Sequence, residues 1–277
     1  MRKSSLVWLF GLFALFSAAA SPTAAQLTTA QAAAKPRAGL PAPARQAAAA
    51  TEHPPVPLPL SGSFTVNQLG HAVGTAEFRL VAGASGYDSA STVHVSMQGL
   101  NYALSKTEQL DPAHHLAHVL LSATINDQAV NVTARPDAGQ ILVNISANGR
   151  STTTRLAGHP GAVFLPDFDP GALQTLLVLA EAQNGRDLWA ILPKQAGSIE
   201  AVQLATYADE QGELDGRSLA VHHVVATIAK SETDLFVGPD NQLLQAELPQ
   251  QGFSLIHKGF VLRPPKRPGA APAPPPQ

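Results

Sequence analysis

The stretch Leu219 to Lys230 reads Leu-Ala-Val-His-His-Val-Val-Ala-Thr-Ile-Ala-Lys. Asp234 to Val237 follows as Asp-Leu-Phe-Val, then Gly238-Pro239-Asp240-Asn241, then Gln242 to Pro249 as Gln-Leu-Leu-Gln-Ala-Glu-Leu-Pro. These are three β-strands, the last two joined by a tight hairpin. Pro239 presets φ for the second residue of a type I turn, Asp240 suits the third, and Asn241 tolerates the left-handed position that follows. The stretch is architectural. It contains no recognisable active site.

Upstream of it the pattern is again that of strands. Phe64 and Val66 alternate with Thr65 and Asn67, and Gly70-His71 is expected to form a two-residue type II′ loop. On the return, Ala76, Phe78 and Leu80 share one face, with Thr75, Glu77 and Arg79 on the other. Gly83 to Gly86 turns the chain. Val93, Val95 and Met97 then alternate with Thr92, His94 and Ser96. Further strands are expected over residues 101–109 and 118–125, around Val130 and Val132, over residues 141–145, and over residues 151–156. Asn126-Asp127, Asp137-Ala138-Gly139 and Asn148-Gly149 punctuate them. Strands at hairpin spacing imply antiparallel pairing, because parallel neighbours need long crossovers.

The period changes once. Asp169 is an N-cap, Pro170 occupies the first helical position, and Leu173, Leu176, Leu177 and Ala180 recur at helical spacing up to a C′ stop at Gly185. Val178 and Leu179 widen the apolar face, so the helix should be buried on more than one side. Strands resume over residues 187–192, 199–207 and, after the opening stretch, 253–262. The expected fold is α+β and mainly β: a large curved antiparallel sheet or partly closed barrel with one long helix.

The ends of the chain are of another kind. Arg2 and Lys3, the apolar run Leu6 to Phe16, and the small residues Thr23-Ala24-Ala25 make residues 1–25 a signal peptide cleaved before Gln26. The apolar run is short for a membrane span, so the mature chain is not expected to be transmembrane. Residues 26–59 form a disordered Ala/Pro-rich linker and residues 264–277 a disordered Pro-rich tail. One β-rich domain remains, over residues 60–263. The expected location is secreted, in the bacterial periplasm or cell envelope. The chain has no cysteine, which excludes disulfides, thiolate metal sites and a lipidated N-terminal cysteine.

Basic Lys35, Arg37 and Arg45 lie in the linker and Arg263, Lys266 and Arg267 near the tail, whereas the body between them is acidic. An acidic body does not suit nucleic acid, whose phosphates need basic surface.

The order of the opening hairpin with Gly70 and Gly74, the Asp- and Pro-bounded Leu-rich helix, and the strands from Phe236 through Asp240 to Leu244, Leu248 and Pro249 resembles that of secreted bacterial β-rich proteins of unknown function. Their curved sheets are similar to the half-barrel fold of periplasmic lipoprotein carriers. The resemblance implies a hydrophobic cavity or groove and a role in the envelope. It supplies no catalytic residue.

Residues that could carry chemistry are few. His114, His115 and His118 lie close in sequence; on a strand His114 and His118 would stand about 13 Å apart, too far to share an ion, whereas on a helical turn started by Pro112 they would be adjacent. His222 and His223 should point to opposite faces of their strand. Asp209, Glu210, Glu213 and Asp215 crowd what reads as a loop and could hold a calcium ion, although their spacing is not that of an EF-hand. Asp167 is assigned to the helix dipole and Asp169 to the cap. Nucleophile elbows, S-x-x-K sets, zinc helices, P-loops and dinucleotide fingerprints are absent. No catalytic, cofactor-binding or metal-binding residue is therefore assigned, no cofactor is expected, and the ligand-binding residues are unknown. The expected function is non-enzymatic binding of a lipid or other apolar or amphipathic ligand in a curved sheet. An envelope scaffold that binds another envelope protein is one alternative, and a hydrolase with an unrecognised site is the other.

Overall fold

The computed structural model describes residues 58–194 and 197–263. The expected signal peptide, all but the end of the expected linker, and the expected tail lie outside the described residues.

The opening hairpin pairs β1 (Leu60–Gln68) with β2 (His71–Gly83). Gln68 pairs with His71, so the loop is Leu69-Gly70, one residue earlier than expected. Both residues have positive φ, 49° and 83°, as a type I′ turn requires and a II′ turn does not. A six-strand meander continues through β3 (Gly86–Met97), β4 (Leu100–Leu110), β5 (Leu116–Ile125), β6 (Gln128–Asp137), β7 (Gln140–Ala147) and β8 (Arg150–Ala157). Each strand is antiparallel to its predecessor. Three of its turns, at Asn126-Asp127, Ala138-Gly139 and Asn148-Gly149, have positive φ at both central residues. That handedness matches the twist of the flanking strands.

Next comes β9 (Gly161–Phe164), then α1 (Pro170–Ala182), then β10 (Leu188–Leu192). Here the antiparallel rule is broken: β9 and β10 run parallel, with α1 as the crossover that parallel neighbours need. β9 was not legible as a strand because it has only four residues, all buried, between Pro160 and Pro166.

The rest of the chain gives β11 (Ser198–Thr206), β12 (Glu210–Leu214), β13 (Arg217–Ile228), β14 (Ser231–Val237), β15 (Leu243–Leu248), β16 (Phe253–His257) and β17 (Phe260–Arg263). The expected single strand over 253–262 is two, folded at Lys258-Gly259, where Gly259 has φ 81°. The expected acidic loop is a strand, β12, held between β13 and β17.

Hydrogen bonding runs continuously from β9 through β10, β11, β13, β14, β15 and β16 to β1, and on through the meander to β8. The sheet is curved and not closed. Its two arms nevertheless meet, since β9 packs on β5 and β8 on β11. Helix α1 touches β2, β3, β9, β10 and β15. It is buried from Pro170 through Leu179, as its broad apolar face demands. A second small core of Val221, Phe236, Leu244 and Phe260 forms under the β12–β17 ribbon. On β14, Leu235 and Val237 enter the main core while Phe236 enters this second one. Burial on both faces explains why the 219–252 stretch reads as near-continuous apolar runs.

Candidate functional site

The strand pattern puts an unexpected group inside the protein. On β4, Leu104, Lys106, Glu108 and Leu110 share parity, and all four are buried. Lys106 and Glu108 are each 1% exposed. Their cross-strand partners on β3 are Ser91 and Ser89, both buried. Asp169, the cap of α1, completes the cluster. Its Oδ1 accepts hydrogen bonds from the backbone N–H groups of Gly171 at 2.8 Å and Ala172 at 3.2 Å. Its Oδ2 lies 2.8 Å from Lys106 Nζ. Lys106 Nζ also donates to Glu108 Oε2 at 3.1 Å and to the Phe164 carbonyl at 3.4 Å. The Phe164 N–H donates to Glu108 Oε1 at 3.4 Å. The Ser89 and Ser91 hydroxyls have no partner.

Burial by itself pushes the Lys106 ammonium toward its neutral form, and the Asp169 and Glu108 carboxylates outweigh it, so its pKa stands above the ordinary lysine value. Close by, the Tyr102 hydroxyl donates to the Asp167 carbonyl at 3.4 Å. Burial, reinforced by the negative charges of Asp167 and Asp169, holds its pKa well above the ordinary tyrosine value. The cluster was missed in the sequence, although one signal was present: Lys106 and Glu108 have the parity of Leu104 and Leu110, not that of Ser105 and Thr107.

The residues singled out in the sequence fall elsewhere. Asp169 caps α1 as read, whereas Asp167 forms an ion pair with Lys194 Nζ at 2.7 Å. His114 stacks on Tyr87 with ring centroids 4.3 Å apart. Burial lowers its pKa, Asp111 works against that and His115 adds to it. His115 faces Asp111 Oδ2 at 3.2 Å, and His118 lies on β5. Asp111 also accepts from the Ala113 and His115 backbone N–H groups. Burial raises its pKa, but these bonds and the charge of the His115 ring together bring it below the ordinary value.

His222 pairs with Asp209 at 2.8 Å. His223 is bonded through Nε2 to Asp234 at 2.8 Å and stacks between Tyr207 and Phe236. Its Nδ1 lies 3.6 Å from Glu210. Glu213 pairs with Arg263, and Asp215 sits in the β12–β13 turn. The four acids thus have separate neighbours instead of a common centre. Among the described residues no group of three or more His, Cys, Asp or Glu is arranged to hold a metal ion.

The remaining feature is a groove of about 400 Å³ across β2 to β5. It follows one cross-strand row, Thr75, His94, Ala103 and Thr124, which the pairing registers place side by side. Ala103 is small between the longer Thr and His side chains. Val73 adds apolar lining, and Ser96, Asn101 and Asp127 add polar groups. Ser96 Oγ donates to Asn101 Oδ1 at 2.8 Å.

Comparison with known proteins adds little. No protein-family description matches the chain, and no curated protein matches it. A solved structure of a DUF1089 family protein from Pseudomonas aeruginosa is similar at 11% identity and a TM-score of 0.37, covering 64% of this chain and 90% of the other. Among the described residues no helix is long and apolar enough to cross a membrane.

Proposed function

We propose that the chain acts in the cell envelope as a binding module and takes an amphipathic ligand on the outside of its curved sheet, in the groove across β2–β5. One observation carries this reading. Helix α1 occupies the concave side, where the likeness to lipoprotein carriers would put an acyl chain, while the groove is open and of small-molecule size. Val73 and Ala103 suit an alkyl portion. Thr75, His94, Ser96 and Asn101 suit a hydrogen-bonding head. The signal sequence supports delivery to the envelope.

The test uses a dansyl-labelled fatty acid titrated into the mature chain and into Ala103→Trp, which fills the middle of the groove. Saturable one-to-one binding is expected for the native chain, weakened at least about tenfold, or 1.4 kcal/mol, in Ala103→Trp, with the two circular-dichroism melts superimposing. Equal affinity in both chains, or no saturable binding in either, would refute the groove.

A further inference from the structure

The Lys106–Glu108–Asp169 cluster has the parts of a condensation site. A primary amine, a carboxyl group held by two N–H donors and a second carboxylate meet in a place that water does not reach. All three side chains are fully buried. As a plain ion cluster it holds one cation against two anions in a low-dielectric interior, which is costly. Two buried serine hydroxyls beside it are left unbonded, which adds to that cost.

We infer that Lys106 and Asp169 condense into an intramolecular amide that ties β4 to the start of α1. The distance supports it: Nζ is 2.8 Å from Oδ2, on the carboxyl group that it would attack. Asp169 is the electrophile, and Glu108 is not. The Asp169 Oδ1 is gripped by the Gly171 and Ala172 N–H groups at the positive end of a helix, where the oxyanion of a tetrahedral intermediate is stabilised. Glu108 Oε1 has only the longer contact to the Phe164 N–H.

The balance closes without an oxidant or any other reagent. The cluster takes up one proton, which is held on Asp169 Oδ2, and Lys106 passes one of its protons to Glu108 Oε2, 3.1 Å away. The free amine attacks Cγ. Glu108 delivers its proton to Oδ2 and receives one from the amide nitrogen. The Nζ–Cγ bond forms, the Cγ–Oδ2 bond breaks, and Oδ2 leaves as water. The Ser89 and Ser91 hydroxyls are available to bond that water. Asp169 Oδ1 becomes the amide oxygen and keeps its capping bonds. The proton taken up stays on Glu108, so an ammonium and two carboxylates are replaced by a neutral amide and a neutral carboxylic acid, which removes the cost of burying charge. For a cysteine-free chain, the product is a covalent staple that needs no disulfide.

Tryptic mapping of the purified native chain tests this directly. If the bond forms, cleavage after Lys106 fails. The segment Leu80–Arg150 is then recovered joined to Leu156–Arg186, at a mass one water below their sum, with fragment ions placing the link between Lys106 and Asp169. Free Leu80–Lys106 and Leu156–Arg186 from a native chain of full sequence mass would overturn the inference. A loss of water confined to Leu80–Arg150 would overturn the choice of Asp169. Glu108→Gln is expected to give unlinked peptides from a chain with native circular dichroism, and a linked Glu108→Gln chain would overturn the proton-shuttling role of Glu108.

Discussion

Gln174 shows how one side chain can fix the relation of two elements. It is fully buried on α1, where a Gln is otherwise out of place. Its Nε2 donates to the Asn241 carbonyl and its Oε1 accepts from the Leu243 N–H, both at 2.8 Å. Asn241, at φ 55°, returns the contact through Nδ2 to Glu181 Oε2 at 2.8 Å. The hairpin turn read from Pro239-Asp240-Asn241 is therefore also a clamp on the helix. Gln174→Leu keeps the volume but leaves a buried donor and a buried acceptor unmade, so it should lower unfolding free energy by about 1–3 kcal/mol. Urea denaturation checks this, and a midpoint equal to that of the native chain would show the clamp to be idle. At this same scale Asp169 was half legible. Its capping role follows from the Pro170 beside it, but its contact with Lys106 joins residues far apart in sequence, which no local pattern encodes.

The elements follow local chemistry closely where a turn residue is decisive. Helix α1 begins at Pro170 as expected, and its end differs by one residue: Asn184 takes the left-handed position at φ 52°, and Gly185 N–H closes on the Ala180 carbonyl at 2.7 Å. Asn148-Gly149 forms the expected hairpin turn between β7 and β8. Gly149 has φ 72°, and a Cβ there would meet nothing within 4 Å. Gly149→Ala should thus cost only the left-handed backbone penalty, about 1–2 kcal/mol. Thermal melts followed by circular dichroism would measure it, and an unchanged melting temperature would mean that the turn relaxes freely. Where strong turn residues are missing, the local reading named no turn or took a strand for a loop. The β13–β14 loop is Ala229-Lys230, both at positive φ, and β12 hid within an acidic run. Glu210 and Glu213 are acceptable in a strand because His223 and Arg263 stand next to them.

At the scale of the molecule, α1 is the centre around which the sheet curves. Leu176 and Leu179 are fully buried, and sheet strands from both halves of the chain pack on the helix. Native-state hydrogen exchange should therefore find the amides of Leu176–Leu179 opening only with global unfolding, while β8, at the end of the hydrogen-bonded path, opens at lower free energy. If the helix amides exchanged as readily as those of β8, α1 would be a loosely held insert and not the core.

What the sequence determined by itself was everything that depends on near neighbours. Two-residue alternation assigned inward and outward faces to β2 and β3. Turn residues set most of the meander, and Asp169-Pro170 set the helix start. Those signals act between residues a few positions apart, where steric and hydrogen-bonding preferences apply before any tertiary contact. Only the folded chain decided that β9 and β10 run parallel, that β12 finds an edge on β13 and β17, and that Lys106 meets Asp169 in the interior. These pairings depend on which strand edges and buried faces remain free once the sheet has curved around α1. The groove has the same origin, since Thr75, His94, Ala103 and Thr124 become neighbours only through the register of four strands.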